Sequence, residues 1–85
     1  MRIVEIERIL AIFDCNLCVK EAAEKMHISR SGMGMTLRQV ERELGYDLIE
    51  RNVGCNAKLY IKITEKGEKA REVFRRMVDS YNMLK

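Results

Sequence analysis

The chain has 85 residues, of which 47% are hydrophobic, and it carries 16 Lys and Arg against 13 Asp and Glu. This length allows one domain with a small core, to which a partner subunit often adds stability. The net charge of +3 is too small to indicate a polyanionic partner by itself, and the absence of a long apolar run excludes a membrane-spanning segment.

The N-terminal segment has apolar residues at intervals of three and four, which is the spacing of a helix. They are Ile3, Val4, Ile6, Ile9, Leu10, Ile12 and Phe13. This apolar face is wide enough to be buried on two sides. After the polar break DCNLC, residues 19–26 repeat the helical spacing, which predicts a short second helix that ends near His27.

Residues 29–44 predict a third helix. Ser29 suits its N-cap, because a hydroxyl can accept a hydrogen bond from the free amides of the first turn. One face of the helix is an apolar stripe of Met33, Leu37, Val40 and Leu44. The opposite face is uncharged or basic and carries Ser31, Met35, Arg38 and Arg42. Gly45 ends the helix, as glycine commonly does.

Beyond Gly45 the hydrophobic period changes from that of a helix to that of strands. The segments DLIERN and KLYIKIT predict two strands, the second with strict alternation. The segment NVGCNA between them has the Asn and Gly content of a hairpin loop. Arg51, Lys58 and Lys62 lie in a stretch without acidic residues, so the hairpin is a candidate phosphate-facing surface.

The last segment, from about Thr64 to Leu84, predicts a long helix capped by Thr64. Its apolar stripe is longer than a small domain usually needs to cover itself, which indicates a dimerisation seam. The predicted seam residues are Val73, Phe74, Met77, Val78, Tyr81 and Leu84.

The order of these elements predicts a mainly α protein with a small β-hairpin, namely a winged helix-turn-helix with a long C-terminal dimerisation helix. We expect a single domain over 1–85, with a DNA-binding core at 1–63 and the dimerisation helix at 64–85. In this architecture the third helix enters the major groove of double-stranded DNA. The candidate DNA contacts are Ser29, Arg30, Ser31, Gly34, Met35, Arg38, Arg51 and Lys58.

Gly32 and Gly34 are unexpected near the start of the third helix, where each costs roughly 0.5–1 kcal/mol relative to Ala. We favour the interpretation that they allow DNA to approach the helix backbone closely. The alternatives are that they are small residues packed against the second helix, or that the helix is loosely specified there.

The other candidates also have structural interpretations. Exposed arginines such as Arg30 and Arg38 are ordinarily solvated, and Arg51 has Glu50 and Asp47 as alternative partners. Thr36 is interpreted as a surface hydroxyl, for which we expect no DNA contact.

Cys15 and Cys18 form a C-x-x-C motif, which His27 and Cys55 would have to complete as a zinc site. Structural zinc sites usually repeat such a close pair, so we expect free cysteines and neither a metal nor a cofactor; His27 is expected to cap or pack at the turn.

An odd number of cysteines without a signal-like opening favours the cytoplasm. No catalytic constellation can be assembled, so we expect no enzyme.

The stretch CVKEAAEKMHISRSGMGMTLRQVERELGYDLIERN resembles the N-terminal DNA-binding region of LysR-type regulators. The resemblance lies in the Ala22-Ala23 pair, in Ile28-Ser29 before the third helix and in Leu44-Gly45, and the Thr64-x-x-Gly67 segment resembles a later motif of the same family. The long wing resembles that of the molybdate-responsive ModE regulators. The family pattern usually has Ser at position 34 and a polar or basic residue at position 35.

This resemblance implies a homodimer joined through the long helix, with the third helix in the major groove and the wing near the minor groove. We therefore expect a sequence-specific transcriptional regulator. Two alternatives remain: a winged-helix module that binds another protein, and a metal- or redox-responsive switch that uses the cysteines.

Overall fold

A computed structural model describes residues 1–53 and 59–84 of the chain, and its description of side chains leaves out residues 51–61. The elements are α1 (Ile3–Asp14), α2 (Val19–Met26), α3 (Arg30–Leu44), β1 (Ile49–Val53), β2 (Leu59–Ile63) and α4 (Glu65–Asn82). The predicted order of elements is therefore confirmed. No helix in the described ranges combines the length and apolar character that crossing a bilayer requires.

The α1 helix is the centre of the core. Its consecutive residues from Ile9 to Phe13 are all buried, and Ile6 is buried one turn earlier. This extensive burial follows because α1 packs against three helices, α2, α3 and α4. The other fully buried large side chains come from α3 and from the start of the hairpin.

The helix-turn-helix motif is formed by α2 and α3, which pack against each other. His27 ends α2 in the left-handed conformation, with φ at 58°, and the Ile28 N–H donates to the Ala23 carbonyl at 3.0 Å. His27 therefore occupies the C-cap position of α2, which is one of the two roles expected for it. Gly45 ends α3 with φ at 82°, which is a conformation that glycine adopts at little cost.

The two strands pair antiparallel, with Ile49 opposite Ile63 and Val53 opposite Leu59. Glu41 attaches the base of this hairpin to α3, because its Oε2 accepts from the Leu48 N–H at 2.7 Å and from the Ile49 N–H at 3.3 Å. This contact between an α3 side chain and a strand backbone holds the wing at a defined position relative to α3.

The start of α4 is joined to the hairpin through Thr64 and Gly67. The Thr64 hydroxyl donates to the Asp47 carbonyl at 2.7 Å, and as the predicted N-cap it accepts from the Gly67 N–H at 2.9 Å. A Cβ at Gly67 would lie 2.3 Å from the Leu48 carbonyl oxygen. The glycine of the Thr-x-x-Gly segment is thus required by the close approach of α4 to the backbone at Leu48, just before β1.

Candidate DNA-binding surface

The α3 helix separates a buried face from an exposed one, as its sequence predicts. Met33, Leu37 and Val40 have no exposed surface, whereas Met35 is 70% exposed. The side chains of the exposed face form two adjoining shallow depressions that share Met35 and Arg38. We call the residues that line these depressions the α3 surface; they are Arg30, Ser31, Gly34, Met35, Arg38, Gln39 and Arg42 from α3, and Val19 from α2.

The α3 surface carries three positive charges. Arg30, Arg38 and Arg42 are exposed, and none of them belongs to the four ion pairs that the described residues form. No acidic residue lines these two depressions, but Glu41 and Asp47 line a neighbouring depression together with Arg38 and Arg42. Exposed guanidinium groups without carboxylate partners attract phosphate and suit the guanine edge in a major groove.

The first turn of α3 is exposed and closely capped. The Ser29 hydroxyl accepts from the Gly32 N–H at 3.0 Å, which confirms the predicted N-cap and leaves the hydroxyl hydrogen available to donate. A Cβ at Gly32 would lie 3.1 Å from that oxygen, so this glycine leaves room for the cap. A Cβ at Gly34 would meet nothing within 4 Å, and the packing interpretation is therefore wrong for Gly34.

Thr36 is not the surface hydroxyl that the sequence indicated, since it is only 5% exposed. Its hydroxyl donates to the Gly32 carbonyl at 2.9 Å and accepts from Arg8 Nη1 at 3.2 Å. The side chain therefore links the first turns of α3 to α1. Periodicity could have found this role, because Thr36 lies next to the apolar stripe rather than opposite to it.

The wing is less uniformly basic than expected. Glu50 and Lys62 face each other across the two strands, and their Oε2 and Nζ atoms are 3.6 Å apart. Glu50 therefore partly neutralises the charge of Lys62. It lies on the opposite strand, one residue before the stretch 51–63 that has no acidic residue. Arg51 lies in β1, but its side chain and the whole of Lys58 are outside the described residues.

The predicted seam on α4 divides into a buried part and an exposed part. Phe74 is 3% exposed and belongs to the core of this chain, against which Val78 also packs. Phe74 is thus not left in water in the single chain, so that reason for placing it in the seam is wrong, whereas Val78 is only partly buried. The place of both residues in a dimer stays a prediction. The exposed apolar residues, which we call the α4 patch, are Val73, Met77, Tyr81 and Leu84.

Cys15 and Cys18 are free thiols, each half-buried. The described residues contain no group of three or more His, Cys, Asp and Glu side chains placed to hold a metal ion. Cys55, the third thiol considered for such a site, lies outside the described residues.

The α2 and α3 helices form a helix-turn-helix, the exposed face of α3 is basic, and the hairpin of β1 and β2 follows directly. These features define a winged helix-turn-helix protein. The family model of the bacterial regulatory helix-turn-helix proteins of the lysR family matches residues 6–68. The chain therefore belongs to the lysR family, and the predicted resemblance is confirmed. This family model describes the DNA-binding domain of transcriptional regulators and not an enzyme.

Solved structures of other proteins share this fold. The DNA-binding domain of CbnR in a DNA complex has a TM-score of 0.83 and 22% identity, with 98% of this chain and 88% of that chain covered. The BenM DNA-binding domain bound to benA site 1 DNA has a TM-score of 0.83 and 20% identity, with coverages of 99% and 88%.

A full-length OxyR from Pseudomonas aeruginosa also matches, with a TM-score of 0.83 and 21% identity; 99% of this chain is covered but only 26% of OxyR. Comparison with curated proteins gives no match. The wing loop that resembles ModE regulators falls on residues outside the described part of the chain, so that resemblance stays a prediction.

Proposed function

We propose that the chain is a sequence-specific DNA-binding transcriptional regulator that acts as a homodimer, with α3 in the major groove and the wing on the backbone or in the minor groove. The observation that carries this proposal is the α3 surface. It combines three arginines without carboxylate partners among the described residues with the apolar, exposed Met35. Membership of the lysR family and the DNA-bound state of the CbnR and BenM domains support it.

Within this proposal the residues divide between two tasks. Base reading falls to Arg30, Ser31, Met35 and Arg38, because these project from the α3 surface near the helix start. Met35 is suited to an apolar contact with a thymine methyl, and an arginine is suited to two hydrogen bonds with guanine. Ser29 and Gly34 allow the phosphate backbone to approach, and Arg51 and Lys58 add phosphate contacts from the wing.

The α4 patch supports the homodimer. Val73 and Met77 are 49% and 41% exposed, lie one helical turn apart and are followed by Tyr81 and Leu84 on the same side of α4. Burying a large apolar side chain fully is worth about 1.5–3 kcal/mol, so pairing of two such patches is favourable.

In this proposal the DNA-binding core is 1–63 and the dimerisation helix is 64–85. The protein acts in the cytoplasm, where bacterial DNA lies.

The experiment that tests the proposal is selection of bound sequences from random duplex DNA, followed by affinity measurement over a series of salt concentrations. We expect an enriched motif with two related halves, because a symmetric dimer presents two copies of α3. Affinity should fall steeply with salt, because phosphate contacts release counterions. Enrichment of no sequence, together with salt-insensitive binding to a protein partner, would instead identify a protein-interaction module.

A further inference from the structure

The turn between α1 and α2 begins and ends with a cysteine. Cys15 is the C-cap of α1 and Cys18 is the N-cap of α2. The Cys18 N–H donates to the Cys15 carbonyl at 3.1 Å, which closes a four-residue turn. Such a turn holds its first and fourth Cα atoms within about 7 Å, and a disulfide needs a separation of about 4.4–6.8 Å. The backbone therefore brings the two Cα atoms to about the separation that a disulfide can bridge.

The surrounding fold imposes this turn geometry. Asn16 and Leu17, between the cysteines, are both left-handed, with φ of 55° and 65°, and this conformation is unfavourable for a residue as bulky as leucine. The Leu17 N–H donates to the Ile12 carbonyl at 2.8 Å, and its side chain packs against the core. The spacing of the two cysteines is thus held by contacts outside the turn.

Cys18 is poorly suited to cap the start of α2. Ser29 and Thr64 cap α3 and α4 with hydroxyl groups, whereas the Cys18 side chain makes no capping hydrogen bond to α2. Serine, threonine, asparagine and aspartate stabilise helix starts in a way that a thiol does not. A residue that breaks a local rule in this manner indicates a role other than stability.

We propose that Cys15 and Cys18 form a reversible disulfide by exchange with a small-molecule disulfide such as oxidised glutathione. One thiolate attacks the small disulfide and displaces one glutathione thiolate; the second protein thiolate attacks the mixed disulfide and displaces the other. One bond forms between the two Sγ atoms, two electrons reduce the small disulfide, and the two protons leave with two glutathione thiols. Reduced glutathione in excess reverses the exchange.

The site borders the α3 surface but does not depend on DNA binding. Val19, the residue after Cys18, lines the same depression as Arg30, Gly34 and Met35. Both cysteine residues are half-buried, and Cys15 packs partly against the core, so neither residue is fully enclosed. Oxidation therefore adds a covalent link at the edge of the surface that we assign to DNA.

The test uses the full chain with Cys55→Ser, so that two thiols remain. After equilibration with oxidised glutathione, the accessible thiols are alkylated and the intact mass is measured. We expect both thiols to be lost together, with a mass lower by two hydrogen atoms and no covalent dimer. The control carries Cys15→Ser as well, and its single Cys18 should form a glutathione adduct.

Two outcomes would overturn the proposal. One is a chain that keeps both thiols alkylatable, or only accumulates glutathione adducts, under conditions in which the control reacts. The second outcome concerns the role of the fold. At a fixed ratio of oxidised to reduced glutathione, we expect the ratio of disulfide to dithiol to be higher in the native chain than in the chain unfolded by urea. An equal or lower ratio in the native chain would show that the turn does not favour the bond.

Discussion

Arg38 lies where the two depressions of the α3 surface meet. If it donates two hydrogen bonds to a guanine, Arg38→Ala should weaken binding to the selected site by about 1–3 kcal/mol. Binding is measured on the selected and on a scrambled duplex. Equal weakening on both would show that Arg38 contacts only phosphate. Arg76→Ala is the control, because Arg76 is exposed on α4, pairs with Glu72 and lines neither depression of the α3 surface.

Gly34 separates the effect of a residue on folding from its effect on binding. Because a Cβ there meets nothing within 4 Å, Gly34→Ala should raise the free energy of unfolding by about 0.5–1 kcal/mol, the usual gain of alanine over glycine in a helix. The same methyl projects toward the proposed DNA position and should weaken binding. Urea denaturation and DNA titration of one preparation check both effects, and unchanged affinity would mean that no close approach occurs.

At the scale of elements, the junction between the hairpin and α4 depends on Gly67. A methyl at Gly67 would collide with the Leu48 carbonyl at 2.3 Å, and backbone atoms cannot yield as a flexible side chain does. Gly67→Ala should therefore destabilise the fold by about 1–3 kcal/mol, as overpacking does. Denaturation with Gly34→Ala as the matched control measures it, and similar values for both variants would contradict the role of the junction.

The wing is expected to supply affinity rather than specificity. Arg51→Ala and Lys58→Ala should each weaken binding on every duplex and flatten the salt dependence by a slope of roughly 0.9 per lost phosphate contact. Lys62→Ala is the comparison. It should change the affinity and the salt slope less, because Glu50 already lies 3.6 Å from the Lys62 ammonium group. A fixed slope with loss on the selected site alone would mean that the wing reads sequence.

Local signals in the sequence predict the elements well. The hydroxyl caps at Ser29 and Thr64 and the glycine at position 45 mark helix ends through contacts within three or four residues, and all three are confirmed. Contacts between distant segments left no such signal. The Glu41 bonds to the strand backbone and the ion pair of Asp14 with Arg75, at 2.8 Å, depend on how the elements pack.

The site was predicted less completely than the fold. The exposed face of α3 follows from a period of 3.6 residues, and the structure places Arg30, Met35 and Arg38 on it as expected. Periodicity shows that a side chain is apolar but not which partner covers it. For this reason the sequence groups Phe74, which is buried in the core, with the exposed Met77.

At the scale of the whole molecule, the chain is elongated, with extents of 48 × 27 × 20 Å, and Leu84, just beyond the end of α4, is 86% exposed. Met77→Glu should convert the proposed dimer into a folded monomer, because it puts a carboxylate in the α4 patch without entering the core. Analytical ultracentrifugation and circular dichroism check assembly and folding.

The control for this prediction is Asn82→Glu, which adds the same charge on a different side of α4. That variant should remain dimeric. A dimer that survives Met77→Glu would place the contact elsewhere on the molecule.

The rigid start of α4 has a mechanical consequence for a dimer joined through this helix. Thr64 bonds to the carbonyls of Asp47 and Leu48, and Gly67 brings the helix against the backbone at Leu48, so there is no slack at the junction. Glu41 in turn ties this segment to α3. We therefore expect the wing and α3 to move together with α4 when the far end of α4 changes direction. In a dimer, a change in the crossing angle of the two α4 helices would then change the distance between the two α3 surfaces.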